Sequence, residues 1–104
     1  MEEIKNRVRK FRDDREWAQF HTPANLAKAI SIESGELLEH FLWNDDYDKE
    51  SVCEELADVM IYCLHMADSL GVNIEDIMNN KMDKNEKKYP VEKAKGTSKK
   101  YTEF

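Results

Sequence analysis

Residues 31–41, SIESGELLEHF, place a carboxylate at every third position inside a largely apolar sequence. Side chains three and four residues apart are neighbours on a helix. Three of the four helical neighbours of Glu33 are apolar, which puts its carboxylate beside the core. Residues 53–63, CEELADVMIYC, repeat the arrangement with Glu55 and Asp58. Each stretch therefore predicts a helix that carries an acidic pair at the border of its apolar stripe.

The same helical period runs along most of the 104 residues, which include only three glycines and two prolines. Thr22 and Asn73 suit the position before a helix, and Gly71 suits the left-handed position that ends one. These signals predict helices over residues 2–19, 23–42, 49–70 and 74–88. Four amphipathic helices with short links predict an all-α fold, an antiparallel four-helix bundle.

The composition changes after Pro90, where residues 91–104 are basic, polar and without a helical period. We therefore predict a helical domain over residues 1–90 and a basic polar tail over residues 91–104. Hydrophobic residues make up 40% of the chain, which is enough for a small core only. Oligomerisation is a common supplement to a core of this size.

Charge and cysteine content exclude several classes of protein. A formal net charge of -6 argues against binding to a nucleic acid polymer, which needs a basic surface. Cys53 and Cys63 would lie roughly 15 Å apart on one helix, too far for a disulfide, and this predicts two reduced thiols in a cytoplasmic protein. The N-terminal residues MEEIKNRVRK include no apolar segment, so neither a signal peptide nor a membrane span is expected.

The two acidic pairs predict a metal site if they face each other. At roughly 5 Å and an effective dielectric constant of about 20, each pair of charges repels by about 3 kcal/mol. Protons or a cation must then neutralise the cluster. An all-oxygen set of ligands suits Mg²⁺ or Mn²⁺ rather than zinc. Magnesium accepts phosphate oxygens, so the predicted chemistry is phosphoryl or nucleotidyl transfer.

Two other interpretations of the carboxylates remain open from spacing alone. Each acidic pair could lie at a solvated rim, where it would cost only about 0.2–0.5 kcal/mol. A di-iron bundle needs Glu-x-x-His pairs, whereas Glu36 and His40 are four residues apart. The spacing therefore disfavours di-iron.

The motifs ESGE and EELADVMIY, with the later KMDKN and YP, resemble the all-α nucleoside triphosphate pyrophosphohydrolases of the MazG-like group. The likeness is greatest to the dCTP pyrophosphatase branch of that group and extends to the tail segment KGTSKKYTE. It covers nearly the whole chain. The two acidic motifs in this order, followed by KMDKN, make the resemblance specific.

This resemblance implies hydrolysis of a nucleoside triphosphate between its α- and β-phosphates, which yields a monophosphate and pyrophosphate. It implies four Mg²⁺ ligands: Glu33, Glu36, Glu55 and Asp58. Among these, Glu36 and Glu33 are the candidates for handling the attacking water. The resemblance also implies a homodimer or homotetramer.

Residues elsewhere in the chain are candidates for substrate binding. Lys81, Asn85 and Lys88 share one helical face, which is either a solvated basic surface or a phosphate-binding surface. The resemblance favours phosphate contact for Lys81 and Asn85 and leaves Lys88 open. Aromatic side chains either pack in a core or stack on a base. For Trp17, Trp43 and Tyr62 the resemblance favours substrate contact, whereas His21 fits substrate contact and a structural role equally.

The sequence is also compatible with two further functions. A helical bundle with an acidic face could be a non-catalytic interaction protein. The same fold and metal could instead hydrolyse dUTP or a damaged nucleotide, because choice of base depends on the detailed shape of the pocket.

Overall fold

The computed structural model describes residues 1–43 and 46–103, and within these ranges the chain is helical and has no strand. Its elements are α1 (Glu2–Asp14), a 3₁₀ turn (Trp17–Phe20), α2 (Pro23–Glu39), α3 (Lys49–Leu70), α4 (Ile74–Lys88), the short α5 (Val91–Ala94) and a second 3₁₀ turn (Tyr101–Glu103). The predicted all-α fold class is confirmed. None of the described helices is long and apolar enough to cross a membrane.

The chain divides into two compact units, Met1–Val72 and Asn73–Phe104. The first contains α1, α2 and α3, and the second contains α4 and the segment after it. The predicted boundary between a domain and a tail at residue 90 stays a prediction.

Helices α2 and α3 pack along each other in the first unit. Near the end of α2, His40 Nε2 lies 3.6 Å from Glu55 Oε1 in the first half of α3. At the opposite end, the hydroxyl of Ser69 donates a hydrogen bond of 2.8 Å to the carbonyl of His21, just before α2. The two helices are therefore antiparallel, and their acidic segments lie at the same level.

Local capping explains where most helices begin and end. The side chains of Thr22 and Asn73 each accept a hydrogen bond of 3.1 Å from a backbone N–H in the first turn of the helix that follows. Gly71 ends α3 with φ of 68°, a conformation that glycine adopts without a side-chain clash. The predicted bounds of α3 and α4 are confirmed.

Two predicted helix ends were wrong. The first helix was expected to reach residue 19, but it ends at Asp14 because Glu16 has a left-handed backbone with φ of 55°. The second was expected to reach residue 42, but it ends at Glu39. There the backbone hydrogen bonds shorten to a span of three residues: the N–H of His40 donates to the carbonyl of Leu37, and the next two N–H groups also donate to carbonyls three residues earlier.

Helix α1 is tied to the second half of α3 by one shared carboxylate. Asp68 accepts hydrogen bonds of 3.0 Å from Arg9 Nε and from Arg9 Nη2, and one of 3.2 Å from Arg12 Nη1. Paired bonds from one guanidinium to one carboxylate fix orientation as well as distance. Buried apolar side chains of this unit, which include Val8, Leu26, Leu64 and Ala67, lie among the same three helices. This arrangement holds the N-terminal helix beside the acidic face of α3.

Candidate functional site

Carboxylates from two helices converge in the first unit. One oxygen from each of Glu33 on α2 and Glu55 and Asp58 on α3 lies within 4.8 Å of the others. Glu33 and Glu55 are half-buried and Asp58 is exposed. Glu36 lies outside this group of three, although it is close enough to Glu33 to share a hydrogen bond with its protonated form. The structure therefore brings together three of the four predicted ligands and keeps the fourth beside them.

The arrangement raises the pKa of the Glu33 carboxyl from an ordinary value of 4.5 to about 7. Burial is the largest cause, followed by the hydrogen bond to Glu36 and the negative charges of Glu36, Asp58 and Glu55. Burial and like charges both disfavour the ionised form of an acid. Near neutral pH this carboxyl can therefore release or accept a proton.

Two carboxylate oxygens of the cluster lack partners. Within the described residues, Oε2 of Glu33 and Oε2 of Glu55 are buried and accept no hydrogen bond. An unpaired buried carboxylate oxygen is costly, and a cation at the centre of the cluster would satisfy both. The donor set consists of oxygen atoms only, which fits Mg²⁺ or Mn²⁺ and does not fit zinc.

His40, whose spacing from Glu36 disfavoured a di-iron site, is a neighbour of the cluster. Its Nε2 lies 3.6 Å from Glu55 Oε1, and both side chains are about one quarter exposed. His40 therefore lies beside the carboxylate cluster at the end of α2.

A cavity of about 480 Å³ adjoins the cluster, because Asp58 belongs to both. Most of its wall is apolar or aromatic, and α1, the first 3₁₀ turn, α3 and the segment before α2 all contribute to it. Its lining residues include Phe11, Trp17, His21, Asp58, Tyr62 and His65. Phe11 and Trp17 pack edge to face with ring centroids 5.6 Å apart. Mixed apolar walls with few polar groups are typical of small-molecule sites.

Two histidines of the wall are held in the neutral state. Burial and the positive charge of Arg12 lower the pKa of His21. Burial, followed by His21 and Arg12, lowers the pKa of His65 to about 4. Both imidazoles are therefore uncharged at neutral pH.

The predicted substrate contacts fall into three groups. Trp17, His21 and Tyr62 meet in the cavity wall. Trp43 is absent from that wall and is 90% exposed. The third group lies in the second unit, on or at the end of α4, and comprises Lys81, Asn85 and Lys88.

Lys88 has a partner within its own unit. Its ammonium lies 4.9 Å from the centroid of the Tyr101 ring, and Tyr101 also packs edge to face on Tyr89 at 6.1 Å. The tail is thus attached to the end of α4 through a cation–π contact and an aromatic pair. Asn85 is half-buried and Lys81 is exposed.

Sequence reasoning missed Phe11, Arg7 and His65 as cavity residues. The spacing of His65 could have identified it, since it follows Tyr62 by three residues and Asp58 by seven, which places all three on one helical face. Phe11 and Arg7 carried no such signal, because their position depends on how α1 packs.

Comparisons with known proteins agree with one another. A family model described as the MazG-like family matches residues 28–104. The chain is similar to dCTP pyrophosphatase 1 of Homo sapiens, at 36% identity over 100% of this chain and 67% of the human one, and to that of Mus musculus at 35% with the same coverage. It is also similar to a crystal structure of a pyrophosphatase from Archaeoglobus fulgidus, with 46% identity and a TM-score of 0.76, over 86% of this chain and 92% of that one.

Proposed function

The chain belongs to the MazG-like family and is a nucleoside triphosphate pyrophosphatase, and we propose that it requires Mg²⁺ and cleaves dCTP or a related pyrimidine or modified nucleotide. The products would be the monophosphate and pyrophosphate. One observation carries the proposal: three carboxylates converge, with two buried unpaired oxygens, beside a cavity that shares Asp58 with them.

Glu33, Glu55 and Asp58 would hold the cation, with Glu36 completing the set. Mn²⁺ is an acceptable substitute, because it prefers the same oxygen ligands. The bound ion would neutralise phosphate charge during hydrolysis.

The carboxylates also supply a group that can move a proton. A water molecule attacks the α-phosphorus, the bond to the bridging oxygen of the β-phosphate breaks, and pyrophosphate leaves. An oxygen of Glu36 would orient this water and accept its proton, since Glu36 lies beside the cluster without being one of the three converging ligands. Glu33, the neighbour of Glu36 in the cluster, is the second candidate for the same role.

The cavity would hold the base and sugar. Trp17 and Tyr62 offer aromatic faces, and stacking on such faces binds a base whatever its identity. His21 adds a hydrogen-bonding group to the same wall. Trp43, which is 90% exposed, remains a proposed further contact. Lys81 and Asn85 are proposed to bind the β- and γ-phosphates, with Lys88 as a third candidate.

Surface and thiol chemistry support two further parts of the proposal. Large apolar side chains of α2 and the turn after it are exposed, including Ile32 at 62%, Leu38 at 70% and Leu42 at 65%. Such exposure supports a homodimer or homotetramer. Cys53 and Cys63 are free thiols, which supports a reducing, cytoplasmic location.

A panel of nucleotides tests the proposal. Purified protein is incubated with dCTP, 5-methyl-dCTP, dUTP, dTTP and dATP, with Mg²⁺ or with EDTA, and pyrophosphate and monophosphate are quantified. We expect equal amounts of both products from at least one pyrimidine nucleotide, and none with EDTA. Release of orthophosphate instead, or equal rates with EDTA, would contradict the proposed reaction. The same panel separates dCTP from dUTP and from a modified nucleotide.

A further inference from the structure

The cavity wall includes a buried imidazole that the proposed reaction does not use. This residue, His65, is 5% exposed. Its burial suggests a role in substrate specificity, an inference that rests on the proposed function. We propose that His65, together with His21, hydrogen-bonds the polar edge of the nucleobase and thereby determines which base the enzyme accepts.

The geometry places the two imidazoles side by side at one end of the cavity. Their ring centroids are 4.5 Å apart, and the ring of Tyr62 lies 6.2 Å from that of His65. His65 follows Asp58 by two helical turns on α3, and both line the cavity. A base that enters beside the carboxylates therefore has its far edge directed towards the histidines.

Both imidazoles have unused hydrogen-bonding capacity. Within the described ranges, Nδ1 of His21 and Nδ1 of His65 are buried and make no hydrogen bond. Buried polar atoms in proteins are almost always paired, so two unpaired atoms at adjacent positions need an explanation. A ligand that supplies both partners provides one. Packing alone does not, because an apolar side chain would fill the same space without an unpaired atom.

The remaining polar groups of the cavity are placed for other contacts. Asp58 belongs to the carboxylate cluster, and the side chain of Arg7 is exposed. The other lining residues are Ile4, Val8, Phe11, Trp17, Ile61 and Tyr62, which are largely apolar. Among the lining residues only His65 is both polar and almost fully buried. Discrimination between bases therefore falls mainly on His65, with His21 as its neighbour.

The charge state of His65 determines which class of ligand it can bind. Burial lowers the pKa of His65 to about 4, so its imidazole is neutral at working pH and offers one donor and one acceptor nitrogen. A neutral pair of this kind matches an uncharged heteroaromatic ring that presents a donor and an acceptor side by side. Cytosine presents an amino donor beside a ring acceptor, whereas uracil presents a carbonyl acceptor beside a ring donor. The two bases thus differ at the edge that His65 would contact.

The first test compares kcat/KM for dCTP and dUTP in three variants. His65→Leu removes the polar atoms, His65→Asn keeps a polar group near Nδ1, and Leu64→Ala perturbs a buried neighbour that is absent from the cavity wall. We expect the wild-type ratio between the nucleotides to exceed about tenfold, since a site with buried polar groups rejects the wrong partner. His65→Leu should reduce that ratio about tenfold, towards one. His65→Asn and Leu64→Ala should keep the ratio within about threefold of the wild-type value.

If His65 has a purely structural role, His65→Leu should lower kcat/KM for both nucleotides by the same factor and leave their ratio unchanged. That result would overturn the inference. A wild type that is active but treats dCTP and dUTP alike would also overturn it. A wild type that releases no pyrophosphate from any nucleotide would overturn the proposed function first.

A second test uses the wild-type protein and so does not depend on how a variant folds. Histidine labelled with ¹⁵N is observed by NMR while α,β-imido-dCTP, which cannot be cleaved, is added with Mg²⁺. The Nδ1 resonances of His65 and His21 should shift. A base-free deoxyribose triphosphate should leave both unchanged. Unshifted Nδ1 resonances at saturation with α,β-imido-dCTP would overturn the inference.

Discussion

Replacing Glu55 by glutamine should lower kcat for pyrophosphate release by more than about 100-fold at saturating Mg²⁺. Glu55 contributes an oxygen to the converging cluster and holds a second, buried oxygen without a partner. Even residues that only orient metal ligands typically cost 10–100-fold when they are replaced, so loss of a direct ligand should cost more. Steady-state assays of pyrophosphate release across a range of Mg²⁺ concentrations measure the effect.

Glu54→Gln is the matched control for this variant. It makes the same change of charge at the adjacent position of α3, where the side chain is exposed and outside the cluster. We expect its kcat to stay within about threefold of the wild type, because exposed charges interact weakly in water. Similar losses of kcat in Glu54→Gln and Glu55→Gln would mean that activity depends on net charge and not on the carboxylate cluster.

Saturating Mg²⁺ should raise the midpoint of thermal unfolding of the wild type by about 10–20 °C. At a concentration 100 times its dissociation constant, a ligand that binds only the folded state adds about 2.7 kcal/mol of stability. A domain of this size gains about 4–8 °C for each kcal/mol. Glu33→Gln should lose most of this gain, whereas the exposed Glu39→Gln on the same helix should keep it. Differential scanning fluorimetry with Mg²⁺ and with EDTA makes the comparison.

The thermal stability of the wild type and that of Glu33→Gln should depend differently on pH when no cation is present. The folded pKa of Glu33 is about 7, above its ordinary value of 4.5, so the folded state binds a proton more tightly than the unfolded state. The stability that this tighter proton binding gives the folded state is fully present below about pH 4.5 and is lost as the pH rises to about 7. The wild type should therefore lose thermal stability over this range more steeply than Glu33→Gln. Parallel curves for the two proteins would contradict the placement of Glu33 among like charges.

Sequence predicted those features that local chemistry determines. The bounds of α3 and α4 follow from Gly71 and Asn73, whose backbone and side-chain preferences act within a few residues. The end of α1 could not be predicted in this way. Its cause is a left-handed backbone at Glu16, a residue type that rarely adopts that conformation.

The acidic site was predictable only in part, because spacing fixes which residues share a helical face but not how each helix is rotated about its axis. Glu33 and Glu36 lie on one border of α2, yet only Glu33 joins the three-carboxylate group. His65 illustrates the same limit. The sequence left His65 as either a structural or an exposed residue, and only the folded structure reveals a buried Nδ1 without a partner.

The cavity depended even more on tertiary packing. Trp17 and His21 lie outside the helices that carry the acidic pairs, and they reach the cavity because α1 is held on α3 by Asp68. For Trp43, aromatic character alone did not distinguish a cavity residue from an exposed one.

Titration with Mn²⁺, followed by the electron paramagnetic resonance of the free ion, tests most directly whether α2 and α3 build one cation site. The wild type should bind Mn²⁺ at a saturable site, and Mg²⁺ should compete for it. Glu33→Gln on α2 and Asp58→Asn on α3 should each weaken binding by at least about tenfold, whereas Glu39→Gln should bind as the wild type does. Absence of saturable binding in the wild type, or equal binding in all four proteins, would contradict a cation site built jointly by α2 and α3.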